Sequence, residues 1–174
     1  AAWTILGASA LDTSHPLNVG MVGMHGNYAP NKLTNECDVL IAIGMRFDDR
    51  VTGSLDTYAK QAKIIHFDID PAEINKNVNA DVAVLGDSKD TLSSLLPLLN
   101  NNSHSEWLNE FKVLYDIEFN AVIKDDIYPE KEGLTMGEVL KEINTHSAGK
   151  AAIVSDVGQH QMIACRYADF TQTR

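Results

Sequence analysis

Two arginines four residues apart, Arg46 and Arg50, enclose Asp48 and Asp49 in the stretch Gly44-Met45-Arg46-Phe47-Asp48-Asp49-Arg50-Val51-Thr52-Gly53. A guanidinium can grip a phosphate or a carboxylate with two parallel hydrogen bonds. The acids beside it could orient that fork or accept ribose hydroxyls. The plainer alternative is a solvated ion-pair cluster, which contributes little. The stretch follows directly on the apolar run Val39–Ile43. In open parallel sheets, ligands bind beyond the carboxyl ends of the strands, and that position favours a binding role.

Three further stretches invite the same question. Gly20-Met21-Val22-Gly23-Met24-His25-Gly26 places a glycine at every third position. Such spacing lets a backbone lie close to a ligand, or simply makes a tight loop; it is not the GxGxxG dinucleotide fingerprint. Asp68-Ile69-Asp70 closes an apolar run, where an acid can bind ribose hydroxyls. Asp70 has a competing task as a cap ahead of Pro71; Asp68 has none. Gly86-Asp87 closes the next run in the same way. In Ser155-Asp156-Val157-Gly158-Gln159-His160-Gln161-Met162, Gly158 precedes a helix start whose free N–H groups suit a phosphate, with Gln159 and His160 as added donors. An ordinary strand-to-helix turn is the alternative there. Successive strands ending in Gly or Asp suggest an adenine dinucleotide more than any one motif does. No Ser-His-Asp or Cys-His arrangement is recognisable, and the 6 histidines show no metal-ligand spacing. No catalytic residue and no metal ligand is assigned.

The elements that must position these residues are legible as alternating patterns. DVLIAIG (38–44), IIHFDID (64–70), VAVLG (82–86) and AAIVS (151–155) are continuous apolar runs, as in strands of a parallel sheet covered on both faces. Trp3–Gly7 reads as a further strand running into a turn. Asp70-Pro71-Ala72-Glu73 and Thr135-Met136-Gly137-Glu138 read as helix starts. Leu92, Leu95, Leu96 and Leu99 share a helical face, as do Trp107, Phe111 and Leu114. The fold class is therefore α/β, a Rossmann-like parallel sheet flanked by helices. The polar Asn100-Asn101-Asn102-Ser103 closes a first domain, 1–102; a helix and linker follow at 103–132, and a second α/β domain opens at 133–174. The abrupt ends suggest a piece of a longer protein.

Composition narrows the partners. Lys plus Arg total 14 against 24 Asp plus Glu, a net charge of −10. That argues against a nucleic-acid backbone and an anionic membrane surface. Apolar runs are too short to span a bilayer, and no secretory signal opens the chain. The 2 cysteines are far apart and form no CxxC, which suits a reducing cytoplasm.

Taken together, GMVGMHG (20–26), IGMRFDDRVTG (43–53), IIHFDIDPAEINKNV (64–78) and SDVGQHQM (155–162) resemble the acetohydroxyacid synthase (acetolactate synthase) large-subunit family of thiamine diphosphate enzymes. Order and separations match too, most weakly across Asn100–Lys131. The resemblance implies most of a central FAD-binding domain, N-terminally truncated, then a linker and the opening of the diphosphate-binding domain. It implies FAD contacts from His25, Gly26, Asn27, Gly44, Met45, Arg46, Phe47, Asp48, Asp68, Ile69 and Asp87. Thiamine diphosphate would meet Gly158, Gln159 and His160. Arg50 matches the residue on the second substrate's carboxylate, with Met24 and Asp49 lining the same channel. The parent is expected to be a cytoplasmic transferase and flavoprotein using thiamine diphosphate, Mg2+ and FAD. It would join pyruvate to pyruvate or 2-oxobutanoate with loss of CO2, in isoleucine, valine and leucine biosynthesis. A homodimer or homotetramer with a small regulatory subunit is implied. The activating glutamate and the metal-binding stretch lie outside this sequence, so the fragment itself is expected to be inactive and to hold FAD weakly or not at all. The alternatives are the central domain of another thiamine diphosphate-dependent 2-oxoacid decarboxylase or oxidase, and a non-catalytic nucleotide-binding module.

Overall fold

The computed structural model describes residues 1–172; Thr173 and Arg174, the end of the expected second α/β domain, lie outside the described residues. The chain divides into two compact units, Lys32–Ser105 and a second made of Ala1–Asn31 with the residues from Glu106 onward.

The first unit is the expected parallel α/β arrangement. Strands β1 (Val39–Ile43), β2 (Lys63–Asp68) and β3 (Val82–Leu85) form a sheet in the order β1-β2-β3. Both pairings are parallel, with Val39 opposite Lys63, Ile43 opposite Phe67, and Asp68 opposite Leu85. Successive side chains point to opposite faces. One face packs Ala42 and Ile64 onto Phe47, Tyr58 and Ala59. Burial of Tyr58 there pushes its hydroxyl up to about 12. On the other face Phe67 is buried, but Ile41 and Ile43 are about half exposed, at 52% and 46%, so β1 is not covered on both sides as its continuous apolar run suggests. The short helix α2 (Asp49–Thr52) follows β1, and α3 (Ser88–Leu95) follows β3 and tightens into a 3-10 turn at Leu96–Leu98. At the amino end of β2, Asp81 accepts the Ile64 N–H at 2.8 Å and the Lys63 ammonium at 2.9 Å. Those two hydrogen bonds hold its carboxyl below the usual range.

The Asp70-Pro71 signal does not produce a helix. Asp70 does cap, its Oδ1 accepting the Ala72 N–H at 2.8 Å. The chain then makes only turns, because Asn75 adopts a left-handed φ of 60° and turns its side chain onto the Ala80 N–H. A first turn without propagation gains too few hydrogen bonds to persist as a helix.

The second unit is helical. It contains α4 (Ser105–Glu118), a π-helical turn at Phe119–Ile123, α5 (Lys124–Ile127), α6 (Met136–Ser147) and α7 (Gln159–Tyr167). Helix α1 (Tyr28–Thr34) runs across the division into the first unit. The expected box at Thr135 forms: its hydroxyl accepts the Glu138 N–H, and Glu138 returns to the Thr135 N–H. Ile123, Leu140, Ala164, Tyr167 and Ala168 make the core. Trp3–Gly7 is not a strand. Trp3 makes one isolated parallel bridge to Met21, and Ile5–Gly7 is a 3-10 turn. Ala151–Ser155 likewise pairs with no strand among the described residues, and Val154 is 94% exposed. Strand identity depends on a neighbour that completes the backbone hydrogen bonds. Among the described residues, no helix is long and apolar enough to cross a membrane.

Glu118, only 6% exposed, pairs with Arg166 and accepts the Tyr28 N–H at 2.9 Å. Removing one partner of a buried pair strands the other charge. Arg166→Met is therefore expected to cost roughly 3–5 kcal/mol. Equilibrium urea unfolding checks this, and a loss below about 1 kcal/mol, the range of an exposed pair, would show the pair to be dispensable.

Candidate functional site

Parallel pairing brings the carboxyl ends of all three strands to one edge of the sheet. Gly44 continues the ladder for one residue, its N–H donating to the Phe67 carbonyl at 2.8 Å, and then turns away with φ 60°. A Cβ at Gly44 would meet nothing within 4 Å. The glycine is needed for its left-handed backbone, and the space in front of it is open. Gly86 similarly donates to the Asp68 carbonyl at 2.9 Å. Gly44–Asp48, Asp68, Ile69 and Asp87 thus stand on one edge, as their positions in sequence imply.

Each of these residues has a distinct setting. Arg46 is 60% exposed and meets the Asp48 carboxylate at 3.0 Å. Asp48 Oδ1 is buried with no hydrogen-bond partner among the described residues. Phe47 holds a left-handed φ of 52° with its ring fully buried, edge-on to His66 at 5.0 Å and to Tyr58 at 6.1 Å. Asp68 is buried, and its Oδ1 accepts the Asp70 N–H at 2.9 Å. Ile69 beside it is exposed. Asp87 Oδ1 accepts the N–H groups of Lys89 and Asp90, at 2.8 and 3.3 Å, and so caps α3. Asp49 and Arg50 open α2 on the surface.

In the second unit the glycine-rich loop closes on itself. Asn27 pairs reciprocally with Met21, donating its N–H at 2.8 Å and accepting the Met21 N–H on Oδ1 at 3.0 Å. Asn31 bridges the N–H and carbonyl of Gly23, at 2.8 and 2.9 Å. A Cβ on Gly26 would sit 2.3 Å from the Met21 carbonyl oxygen. The glycine spacing is thus accounted for by close packing within the loop. Met24 is exposed there and His25 is half-buried. Gln159 and His160 are exposed in the first turn of α7, behind Gly158, and the His160 ring lies against that glycine.

Comparison with known proteins gives this geometry a family. Residues 1–95 match the family model for the thiamine pyrophosphate enzyme central domain. The chain belongs to that family. It is also 45% identical over 164 residues to a probable acetolactate synthase large subunit of Methanocaldococcus jannaschii, covering 91% of this chain and 28% of the relative. The acetolactate synthase large subunit of Parasynechococcus marenigrum is 42% identical over 171 residues, 94% of this chain and 26% of that one. The isozyme 3 large subunit of Escherichia coli is 37% identical over 175 residues, 98% and 30%. The chain therefore spans 26–30% of the length of these relatives.

Two residues of this central domain escaped the sequence reading. His66 is 0% exposed and donates from Nε2 to the Met45 carbonyl at 2.9 Å. Asn77 Nδ2 donates to the Phe47 carbonyl at 3.0 Å. His66 had a signal, a lone polar residue in the middle of the apolar run Ile64–Phe67, where burial demands a partner. Asn77 had none, since it lies in a turn-rich stretch of ordinary composition.

The cap at Asp87 gives a direct test. Asp87→Ala is expected to destabilise the chain by about 1 kcal/mol, whereas Asp87→Asn, an equally good cap, stays close to the parent value. Urea midpoints of both variants measure it. Equal losses would mean that the charge, not the cap, supports α3.

Proposed function

We propose that this chain is the central part of an acetolactate synthase large subunit and that its strand edge holds FAD. The observation that carries the reading is the extent of the likeness. It runs over 91–98% of the chain, through both the sheet and the helices that follow, and so reaches well past the central domain at residues 1–95. The half-exposed apolar face of the sheet supports the same reading, since a domain surrounded by further chain need not cover that face itself.

The strand edge fits a dinucleotide on its donor set. Arg46 offers an exposed guanidinium for a phosphate oxygen. Asp68 offers a carboxylate at a strand end for ribose hydroxyls. The open space before Gly44 lets a ligand lie against the backbone. Asp87 contributes its charge while capping α3. Gly158, Gln159 and His160 at the first turn of α7 would hold the diphosphate of thiamine diphosphate, with N–H groups and side-chain donors. Thiamine diphosphate supplies an electron sink when bound, and Mg2+ would accompany its diphosphate.

In the full-length protein the reaction would join pyruvate to a second pyruvate or to 2-oxobutanoate. CO2 is released, and the products are acetolactate or acetohydroxybutanoate, for branched-chain amino-acid synthesis. Arg50 would bind the carboxylate of the second 2-oxoacid as a bidentate fork. The words "large subunit" in the relatives' names imply a small regulatory partner, and the reading includes a cytoplasmic homodimer or homotetramer.

Acetolactate formation from pyruvate by the purified full-length protein tests the activity; its absence with both cofactors and Mg2+ supplied overturns it. Within that protein, Arg50→Lys is expected to lower kcat/KM for the second substrate about 10- to 150-fold, the worth of one charge-assisted contact. Steady-state kinetics with pyruvate and 2-oxobutanoate measure this. Unchanged constants would assign Arg50 to a surface role.

A further inference from the structure

Residue 66 interrupts an apolar run with an imidazole that no solvent reaches. Burying an imidazole costs free energy unless its polar atoms find partners. Here only one does. Nε2 lies 2.9 Å from the Met45 carbonyl oxygen, while Nδ1 is buried with no partner among the described residues. A carbonyl can only accept, so Nε2 carries a proton, and it is Nδ1 that is left without a partner among the described residues. A fold that tolerates an orphaned Nδ1 is gaining something from the Nε2–H.

The geometry points to what that is. Nε2 lies near two groups on neighbouring strand ends: it donates to the Met45 carbonyl just past β1, and Asp68 Oδ2 at the end of β2 stands 3.7 Å away, within the range of a charge pair. The ring face is closed by Phe47, edge-on at 5.0 Å. Asn77 fixes the Phe47 carbonyl from the other side. Met45–Phe47 has no ladder partner among the described residues, since the β1–β2 pairing ends at Ile43 and Phe67 and the Gly44 N–H makes its last backbone hydrogen bond to β2. The segment owes its path to these side chains, and Arg46 projects outward because the residues on either side of it are held inward.

We propose that His66 is a positioning residue for the dinucleotide site. Its Nε2–H sets the conformation of Met45–Phe47 and the placement of the Asp68 carboxylate, and so presents Arg46 and Asp68 to the ligand. This rests on the reading of the strand edge as an FAD site. His66 itself touches no ligand and acts through its neighbours.

Two nearly isosteric amides test the idea in the full-length protein. A glutamine amide nitrogen can reach the place of Nε2, whereas an asparagine amide reaches only that of Nδ1. FAD dissociation constants, from quenching of flavin fluorescence, are the readout, with urea midpoints measured alongside. His66→Gln is expected to bind FAD within about 3-fold of the parent, and His66→Asn about 10-fold more weakly, the equivalent of ~1.4 kcal/mol. A purely structural role would weaken both in proportion to their loss of stability. Equal affinities for the two amides would overturn the positioning role while leaving the FAD site intact. Absence of FAD binding by the parent protein itself would overturn the site reading, and the proposal with it. Should His66→Asn fail to fold, His66→Leu, which suits the buried strand, takes its place with the same expected loss.

Discussion

The parallel pairing of β1 with β2 is the constraint on which the rest of the first unit depends. Its register sets Ile43 opposite Phe67, so both strands end at the same level, and the last hydrogen bond runs from Gly44 to Phe67. A shift by one residue would reverse the face of every side chain. His66 would then turn from Met45 towards the open face, and Ile65 would replace it beneath Phe47. Register, buried imidazole and exposed arginine are thus one arrangement. The hydrophobic packing of Ala42 and Ile64 on Phe47, Tyr58 and Ala59 holds the register, and the register places the polar edge.

That edge combines rigid and open features. The main chain at Met45 and Phe47 is fixed by side-chain donors, and Asp48 begins a helix whose first carbonyl is taken by the Thr52 N–H at 2.9 Å. Arg46, by contrast, meets Asp48 in an exposed ion pair of the kind worth little in water. A guanidinium so held can exchange its partner for a phosphate at small cost. A scaffold that is stiff in its backbone and loose in its terminal charges suits a site that binds an anion without reorganising.

Much of this was legible in the amino-acid sequence, and the exceptions share a physical origin. The three strands of the sheet were readable because continuous branched apolar runs leave little alternative, and the capping box at Thr135 because its two partners are three residues apart. Patterns whose outcome rests on distant partners were not. AAIVS has the composition of a buried strand but pairs with no strand among the described residues, and the Asp70 cap is followed only by turns because Asn75 redirects the chain. The same division runs through the proposed site. Gly44, Arg46 and Asp68 announce themselves at strand ends. The clamps that orient them, His66 and Asn77, lie 21 and 30 residues from the carbonyls they hold, and only the fold brings them together. Asp87 shows a third case, a residue whose sequence position suits a ligand and whose carboxylate also caps a helix.

The dinucleotide site proposed for this acetolactate synthase large-subunit segment lies at the carboxyl edge of the sheet. Hydrogen–deuterium exchange of the full-length protein with and without FAD tests it most directly, because amides that lie against a bound ligand, or that it rigidifies, exchange more slowly. The account predicts that FAD slows exchange in Gly44–Asp48 and at Asp68–Ile69, and leaves α6 unchanged. Protection confined to other segments, with these unaltered while FAD is bound, would contradict it.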